Sequence, residues 1–179
     1  MLVDDVKEIL ITEEEIVTRC KELGKQISED YEGKVPVIIG LLKGSVPFMA
    51  ELIKHITIDC EIEFMAVSSY SGTESMGDVK IVKDLDRSIK GQDVLIVEDI
   101  VDTGKTLEKV KELLYSKGAN HVAVVSLLDK PSRRITEIYA EYVGFQIPDK
   151  FVVGFGLDFN QKYRNLPYVG VLKEECYEG

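Results

Sequence analysis

The sequence predicts an α/β fold with a central, mainly parallel sheet flanked by helices. Three short apolar runs support this prediction, at residues 35–42, 94–97 and 121–128. Strands that helices cover on both faces lose the alternation of polar and apolar residues, and these runs lack it. A helical pattern separates the second run from the third, as in a right-handed crossover between parallel strands. The length of 179 residues suits a single domain.

The N-terminal half begins with an amphipathic helix. Thr12 and Glu15 form a capping box, and apolar residues follow at helical spacing. These residues are Ile16, Cys20, Leu23 and Ile27. A second helix is expected after the first apolar run, with Ser45 as its cap. Residues 58–66 alternate apolar with polar side chains, which predicts a strand with one buried face and a buried Cys60.

A polar, glycine-rich loop is predicted at residues 68–78. Its composition fits either a disordered hairpin tip or a mobile lid over an active site, and it does not separate the two. A short strand is expected directly after the loop, at residues 79–82.

The C-terminal half contains one more helix and several short strands. The helix is expected to end at Gly118, in the position after a helix that favours glycine. Strand-like pieces at residues 142–147, 151–155 and 168–172 are separated by turn residues. We expect these three pieces to form a small subdomain over the edge of the sheet.

The composition excludes several classes of protein. A net charge of -10 at pH 7 argues against binding to nucleic acid or to an anionic membrane, because both need a basic face. The three cysteines are widely spaced and indicate neither a disulfide framework nor a zinc site. The sequence shows no signal-peptide pattern and no apolar run of membrane-spanning length, so we expect a cytoplasmic protein.

The most informative motif lies at residues 94–106. Its apolar run leads to Glu98 and Asp99, and residues 102–106, Asp-Thr-Gly-Lys-Thr, open a helix. The amides of a helix's first turn have no partners within the helix, so an anionic group is expected there. The two acids beside this cradle suit sugar hydroxyls or a hydrated cation. The motif therefore indicates a site for a sugar phosphate.

Two other interpretations of this motif are weaker. Residues 104–106 match the end of a nucleotide-hydrolysing P-loop, but Asp99 stands where that motif requires its first glycine. A carboxylate at that place would repel a triphosphate. An ordinary helix cap needs only Asp102 or Thr103, and three acids around one turn exceed that need.

Charged residues follow other predicted strands and are expected at the same edge of the sheet, where α/β folds bind ligands. Lys43 follows the first apolar run, and Lys130 follows the third. Lys43 and Arg164 suit a second anionic group, because cationic side chains pair with phosphate oxygens. Each cation taken alone is better explained as a solvated surface residue.

Residues 94–106 resemble the signature of type I phosphoribosyltransferases that binds 5-phosphoribosyl 1-pyrophosphate. Further stretches resemble the hypoxanthine-guanine branch of that family. They are residues 42–45, 69–70, 128–130, 144–154, 157–158 and 163–167. The resemblance covers residues 35–172. It implies the type I phosphoribosyltransferase fold as one domain over residues 1–179, with a small hood formed by the N-terminal and C-terminal segments.

The resemblance implies an enzyme of purine salvage that binds the sugar diphosphate through three groups of residues. Those for the 5-phosphate are Asp102, Thr103, Gly104, Lys105 and Thr106. Those for pyrophosphate are Lys43, Gly44 and Arg164, with a non-proline cis peptide expected near Lys43. Those for the ribose and Mg²⁺ are Glu98, Asp99 and Asp158.

The second substrate that the resemblance implies is hypoxanthine or guanine, and the products are IMP or GMP and pyrophosphate. The expected purine contacts are Lys130, Phe151, Val152 and Asp158. Lys130 would donate to the 6-oxygen, Phe151 would stack on the ring, and the backbone of Val152 would lie at its edge. Asp102 is expected to act as general base and to take a proton from the purine.

The resemblance also leaves alternatives. A regulator with this fold would bind RNA or DNA instead of catalysing, and the acidic charge disfavours it. A relative that prefers xanthine differs only in fine contacts at the purine's 2-position. Family members usually form dimers or tetramers, so a homodimer or homotetramer is expected, and Ser69 and Tyr70 are expected to belong to a lid that excludes water.

Overall fold

The computed structural model describes residues 1–69 and 79–178, which contain nine strands in two sheets. The strands are β1 Val6–Ile11, β2 Val37–Leu41, β3 Glu61–Ser69, β4 Val79–Lys83, β5 Asp93–Val101, β6 His121–Asp129, β7 Tyr142–Gln146, β8 Val152–Val153 and β9 Val169–Leu172. The α-helices are α1 Glu13–Asp30, α2 Val46–Ile53 and α3 Lys105–Ser116. Short 3-10 helices cover Leu2–Asp5, Pro131–Arg133 and Glu174–Cys176. Within the described ranges, no helix is long and apolar enough to cross a membrane.

The larger sheet has six strands in the order β4–β3–β2–β5–β6–β7. Five of these strands run parallel, and β4 pairs with β3 antiparallel at one edge. The strand order reverses between β2 and β5, so a crevice opens beyond the carboxyl ends of these two strands. The predicted α/β class with a mainly parallel sheet is confirmed.

Helices cover both faces of this sheet. Along β5, Leu95 and Val97 pack in the same cluster as the apolar residues of α1 and α2. Val94 and Ile96 alternate with them and pack in the cluster that contains α3. Because both faces of the strand are buried, every position of the run is apolar. The apolar runs that predicted the fold class have this physical cause.

The predicted helix ends are largely confirmed. The amide of Glu15 donates to the hydroxyl of Thr12 at 3.2 Å, and the amide of Thr12 donates back to the Glu15 carboxylate at 3.2 Å. Gly118 has φ +93° beyond the end of α3. Ser45 occupies the cap position of α2, but its side chain makes no cap hydrogen bond and its Oγ is buried without a partner among the described residues.

The smaller sheet is a three-stranded antiparallel hood in the order β1–β9–β8. Its first strand comes from the N-terminal part of the sequence and the other two from the C-terminal part. Val153, Tyr163, Leu166 and Leu172 form its small buried core. The hydroxyl of Tyr163 donates to the Asp5 carboxylate at 2.7 Å, which joins the two parts of the chain.

Two predictions about strands were wrong in extent. The strand at residues 94–97 does not end at Glu98: β5 continues to Val101 because β6 is long enough to pair with it up to Asp129. Residues 142–147 do not belong to the subdomain, because β7 pairs with β6 in the larger sheet. The side chain of Arg19 on α1 fixes the outer edge of β7 by donating to two of its carbonyl oxygens at 2.7 and 3.0 Å.

The burial predicted for the strand at residues 58–66 was also wrong. Glu63 and Met65 are the buried residues of β3, whereas Ile62 is 51% exposed and Cys60 is only half-buried. Glu63 tolerates this position because the amides of Asp86 and Arg87 donate to its carboxylate, each at 3.2 Å. Tertiary hydrogen bonds of this kind reverse a pattern that alternation alone predicts.

Candidate active site

The carboxyl ends of β2, β5 and β6 lie side by side and place the predicted site residues together. Val101 pairs with Asp129 at the end of the β5–β6 ladder. The amide of Lys130 donates to the carbonyl of Val101 at 3.0 Å, which extends this pairing by one residue. Lys130 therefore lies next to the loop that begins at Asp102.

The loop at residues 102–104 turns the chain from β5 into α3. Gly104 has φ +88° and occupies the helix cap position, where a Cβ atom would collide with Thr136 and Ile138. Glycine is required both for this backbone conformation and for this close approach. The main-chain amides that follow belong to the first turn of α3, which offers them to an anion.

A cavity of about 200 Å³ lies at this loop. Its lining residues are Glu98, Ile100, Val101, Asp102, Thr103, Gly104, Thr106 and Leu107. Four of the five residues expected to bind the 5-phosphate line it, and the side chain of Lys105 instead belongs to the exposed surface. A larger cavity, of about 430 Å³, lies at the opposite edge of the sheet, beside Asp93 and His121 at the starts of β5 and β6.

Glu98 and Asp99 form a pair of carboxylates in the last part of β5. Burial raises the pKa of Glu98 well above its ordinary value, and the charge of Asp99 raises it further. Burial also raises the pKa of Asp99, against the opposing effects of hydrogen bonds with Glu98 and the Ile100 amide and of the charge of Arg164. The Ile100 amide donates to Asp99 Oδ1 at 2.7 Å. A cation bound beside these two acids would stabilise their charged forms.

The loop after β2 lies directly against this acid pair. The peptide bond between Leu42 and Lys43 is cis, as the resemblance led us to expect. A Cβ atom on Gly44 would collide with the carboxylate of Asp99, so only glycine fits here. Lys43 itself is exposed at this edge.

Arg164 joins the hood to the same place. Its Nη1 donates to the carbonyl of Gly156 at 2.6 Å, and the Gly156 amide donates to the carbonyl of Arg164 at 2.9 Å. A Cβ atom on Gly156 would collide with the carbonyl oxygen of Gly44. The Nη2 atom lies 3.5 Å from Asp158 Oδ1, and Nε is buried without a hydrogen bond in the part of the chain that the structure describes. An unsatisfied cationic donor beside Gly44 is suited to an anionic ligand.

The expected purine contacts come from two places, with Lys130 just after the end of β6 in the larger sheet and Phe151 and Val152 in the hood. Lys130 is only 7% exposed, and its Nζ is 3.6 Å from Asp149 Oδ1. A buried lysine with one distant partner differs from a solvated surface residue, which is the alternative the sequence left open. Val152 is buried in β8, while Phe151 is 39% exposed and stacks on Tyr177 with ring centroids 4.7 Å apart.

Two arginines that the sequence analysis overlooked hold the phosphate loop. Arg134 donates through Nε to the carbonyl of Asp102 at 3.1 Å and pairs with the carboxylate of Asp129. Arg133 lies with its Nε 2.7 Å from Asp102 Oδ1. Their position in the loop that follows Lys130, where a buried strand ends, is the sequence signal that could identify them.

The lid prediction is covered only in part. Ser69 is the last residue of β3, and Tyr70 lies outside the described residues.

Asp158 accepts a hydrogen bond from the Gln161 amide at 2.9 Å, in addition to its contact with Arg164. Both of its carboxylate oxygens therefore contact its own loop.

A mainly parallel sheet with an acidic strand end, an anion-binding loop and a small hood defines the phosphoribosyltransferase class of protein. The chain matches the family model described as the phosphoribosyl transferase domain over residues 5–160. The predicted type I phosphoribosyltransferase fold is thereby confirmed.

Similarity to individual proteins is more specific. A hypoxanthine-guanine phosphoribosyltransferase of Lactococcus lactis is 58% identical over 96% of this chain and 94% of its own length. The crystal structure of a hypoxanthine phosphoribosyltransferase from Staphylococcus aureus superposes with a TM-score of 0.96 at 55% identity, covering 99% of this chain and 97% of that one. For a hypoxanthine-guanine phosphoribosyltransferase from Bacillus anthracis, the TM-score is 0.89 at 46% identity, covering 94% and 98%. The chain belongs to the hypoxanthine-guanine phosphoribosyltransferase family.

Proposed function

We propose that the chain transfers the 5-phosphoribosyl group from 5-phosphoribosyl 1-pyrophosphate to hypoxanthine or guanine in purine salvage. A bond forms between C1 of the sugar and a purine nitrogen, and the bond from C1 to pyrophosphate breaks. IMP or GMP and pyrophosphate are the products. The observation that carries the proposal is the meeting of the phosphate loop, the Gly44 loop and Lys130 at one sheet edge. The chain's membership of the family supports the same reaction.

The sugar diphosphate would be held at both of its phosphorylated ends. The amides and hydroxyls of residues 102–106 would bind the 5-phosphate at the start of α3. Lys43, the amide of Gly44 and the guanidinium of Arg164 would bind pyrophosphate. The buried Nε of Arg164 supports this assignment, because a pyrophosphate oxygen would satisfy it.

Phosphoribosyltransferases generally use a divalent metal, and we assign Mg²⁺ to this one. Among the described residues, no group of three or more acidic, histidine or cysteine side chains could hold a metal alone. Mg²⁺ commonly binds through one or two carboxylates and completes its shell with water and substrate phosphates. Burial raises the pKa of both Glu98 and Asp99, which fits this need, since a cation would stabilise the charged form of the two buried carboxylates. Glu98 and Asp99, with Asp158, would hold Mg²⁺ and the ribose hydroxyls, and the ion would neutralise the charge of the leaving pyrophosphate.

The purine would be recognised at its ring face and its edges. Lys130 would donate to the 6-oxygen, which distinguishes an oxopurine from an aminopurine. The exposed part of Phe151 would stack on the base, with the backbone of Val152 at its edge. Asp158 would bind Mg²⁺ or lie near the 2-position. Asp102 would accept the purine proton as positive charge develops at C1.

Four further assignments belong to this proposal. Residues 1–179 form one domain whose hood contains segments from both ends of the sequence. The enzyme works in the cytoplasm as a homodimer or homotetramer. Ser69 and Tyr70 belong to a lid that keeps water away from the activated sugar.

The test is product formation from 5-phosphoribosyl 1-pyrophosphate with each purine in turn, with and without Mg²⁺. Hypoxanthine and guanine should give nucleotide and pyrophosphate only with the metal, and adenine should give none. The rate with xanthine, compared with the rates for hypoxanthine and guanine, measures the selectivity for the substituent at the purine's 2-position. Absence of product with every oxopurine would contradict the proposal. A gel-shift assay run in parallel would detect binding of RNA or DNA, which is the alternative function.

A further inference from the structure

Arg133 and Arg134 are adjacent in sequence but make different contacts. Arg134 contacts the main chain of the phosphate loop and of Ile138, and it pairs with Asp129, so it is fixed on several sides. Arg133 contacts two carboxylates, Asp102 and Asp149, and is 47% exposed. Arg134 thus holds the backbone of the loop, whereas Arg133 holds the side chain of Asp102.

The contact between Arg133 and Asp102 at 2.7 Å is made to one oxygen of the carboxylate, Oδ1. Oδ1 lies 2.7 Å from Arg133 Nε, is shielded from solvent and has no aligned hydrogen bond from any described residue. The side chain as a whole is 43% exposed, so its exposure comes from its other atoms, which include Oδ2. One oxygen is therefore held by a cation, and the other is available to accept a proton.

Asp149 continues this arrangement to the purine side. Its Oδ2 lies 3.7 Å from Arg133 Nη1, and its Oδ1 lies 3.6 Å from Lys130 Nζ. Asp102, Arg133, Asp149 and Lys130 thus form a chain of alternating charges. The two ends of the chain are the two groups assigned to the purine's edge.

We propose that Arg133 is a positioning residue for Asp102 and that Asp149 links it to Lys130. This inference rests on the proposed function, in which Asp102 takes the purine proton and Lys130 donates to the 6-oxygen. Arg133 fixes Oδ1 so that Oδ2 faces the base, and Asp149 maintains the spacing between the proton acceptor and the 6-oxygen donor. Asp102 and Lys130, at the two ends of this series of ion pairs, are then held at the separation that one rigid purine requires.

A positioning role can be separated from a purely structural one. Ion pairs between exposed side chains contribute little to folding stability, so loss of Arg133 should leave the melting temperature nearly unchanged. Catalysis is more sensitive, because a small misplacement of a reacting group lowers the rate strongly. Arg87, which is 77% exposed on its side chain and lies 3.7 Å from Glu61, is a matched control outside the site.

The experiment compares Arg133→Gln, Arg133→Lys, Asp149→Asn and Arg87→Gln in steady-state kinetics with hypoxanthine. Arg133→Gln should lower kcat about tenfold or more with an unchanged KM for 5-phosphoribosyl 1-pyrophosphate, and Arg133→Lys should restore part of it. Asp149→Asn should mainly raise KM for the purine. In the double variant of Arg133→Gln and Asp149→Asn, kcat/KM for the purine should fall by less than the product of the two single-variant reductions. The effects should overlap in this way because the two residues act in one chain of ion pairs.

The outcomes distinguish this inference from the proposed function. Without activity in the unmodified protein, the proposed function fails first. If the unmodified protein is active, a normal kcat in Arg133→Gln overturns the positioning role. A lowered kcat accompanied by a clearly lowered melting temperature, or matched by Arg87→Gln, overturns it as well.

Discussion

The sheet edge and the hood build the site by different means. At the edge, the acid pair and the phosphate loop come from consecutive residues at the end of β5 and just after it, and strand pairing and main-chain amides position them. In the hood, Phe151 is positioned by the ring of Tyr177, and Arg164 is positioned by the carbonyl of Gly156 in its own loop. Under the proposed function, rigid backbone would hold the 5-phosphate of the sugar, while stacking on the base would depend on side-chain packing. Four predictions test this contrast.

The largest effect is expected at the sheet edge, from Asp102→Asn. The amide cannot accept the purine proton, so kcat should fall roughly 10²-fold or more. Folding should be normal, because the carboxylate is partly exposed and its ion pair lies at the surface. Steady-state kinetics and a melting curve measure the two effects. Asp84→Asn, which removes a surface contact to Lys117 at 3.0 Å, is the control, and a near-normal kcat in Asp102→Asn would refute the assignment.

Asp99→Asn should weaken binding of the sugar diphosphate in the presence of Mg²⁺. Loss of a charged partner costs about 1.5–3 kcal/mol, which corresponds to roughly a tenfold weaker affinity or more. Calorimetric titration with 5-phosphoribosyl 1-pyrophosphate measures this effect, and the same titration without the metal should show a smaller difference. Equal affinities of the two proteins with Mg²⁺ would contradict the metal assignment.

In the hood, Phe151→Ala should raise KM for the purine about tenfold, because stacking of a base on an aromatic ring contributes about 1–3 kcal/mol. Tyr177→Ala should raise the same KM only a few-fold, since an aromatic pair contributes about 0.5–1.5 kcal/mol and Tyr177 acts through Phe151. Tyr177→Phe retains the ring and serves as the control. A change in kcat alone would argue that the hood acts on the chemical step and not on binding of the base.

The smallest kinetic effect is expected from Tyr163→Phe, which removes the hydrogen bond to Asp5. The free energy of unfolding should fall by about 1–2 kcal/mol at neutral pH. The hydrogen bond to Asp5, with burial, raises the pKa of Tyr163 from 10.0 to about 12. The folded state therefore favours the neutral phenol, and this stabilisation is complete below pH 10 and is lost as the pH rises through about 12. Melting curves of both proteins should converge over that interval; a constant difference would contradict the assignment.

The sequence predicted the sheet edge well because its signals are local. A buried strand followed by acids and a small-residue turn lies within residues 94–106, and periodicity and helix-end chemistry are sufficient to interpret it. The strand β5 extends beyond the apolar run that predicted it, to Val101. The β6 ladder continues to pair with it, and such pairing is not visible in one segment.

The hood and the charge chain could not be predicted in the same way. Alternation gave the wrong buried face for β3, since Glu63 is stabilised by amides more than 20 residues away. The strand β7 was assigned to the subdomain because nothing local identifies its partner. The contacts of Arg133 with Asp102 and Asp149 exist only after the loop following β6 folds against the loops following β5 and β7.

The bond between Asp5 and Tyr163 joins residues that are 158 positions apart, and β1 pairs with β9 across a similar interval. During synthesis, β1 leaves the ribosome long before its partner exists, while the strands of the larger sheet emerge in between. The strand β1 therefore stays unpaired until β9 has been synthesised, and the antiparallel sheet of the hood is expected to form last. Until then the nascent chain can form the phosphate loop but not the hood. In that interval β1 has an unpaired edge that is open to pairing with another chain.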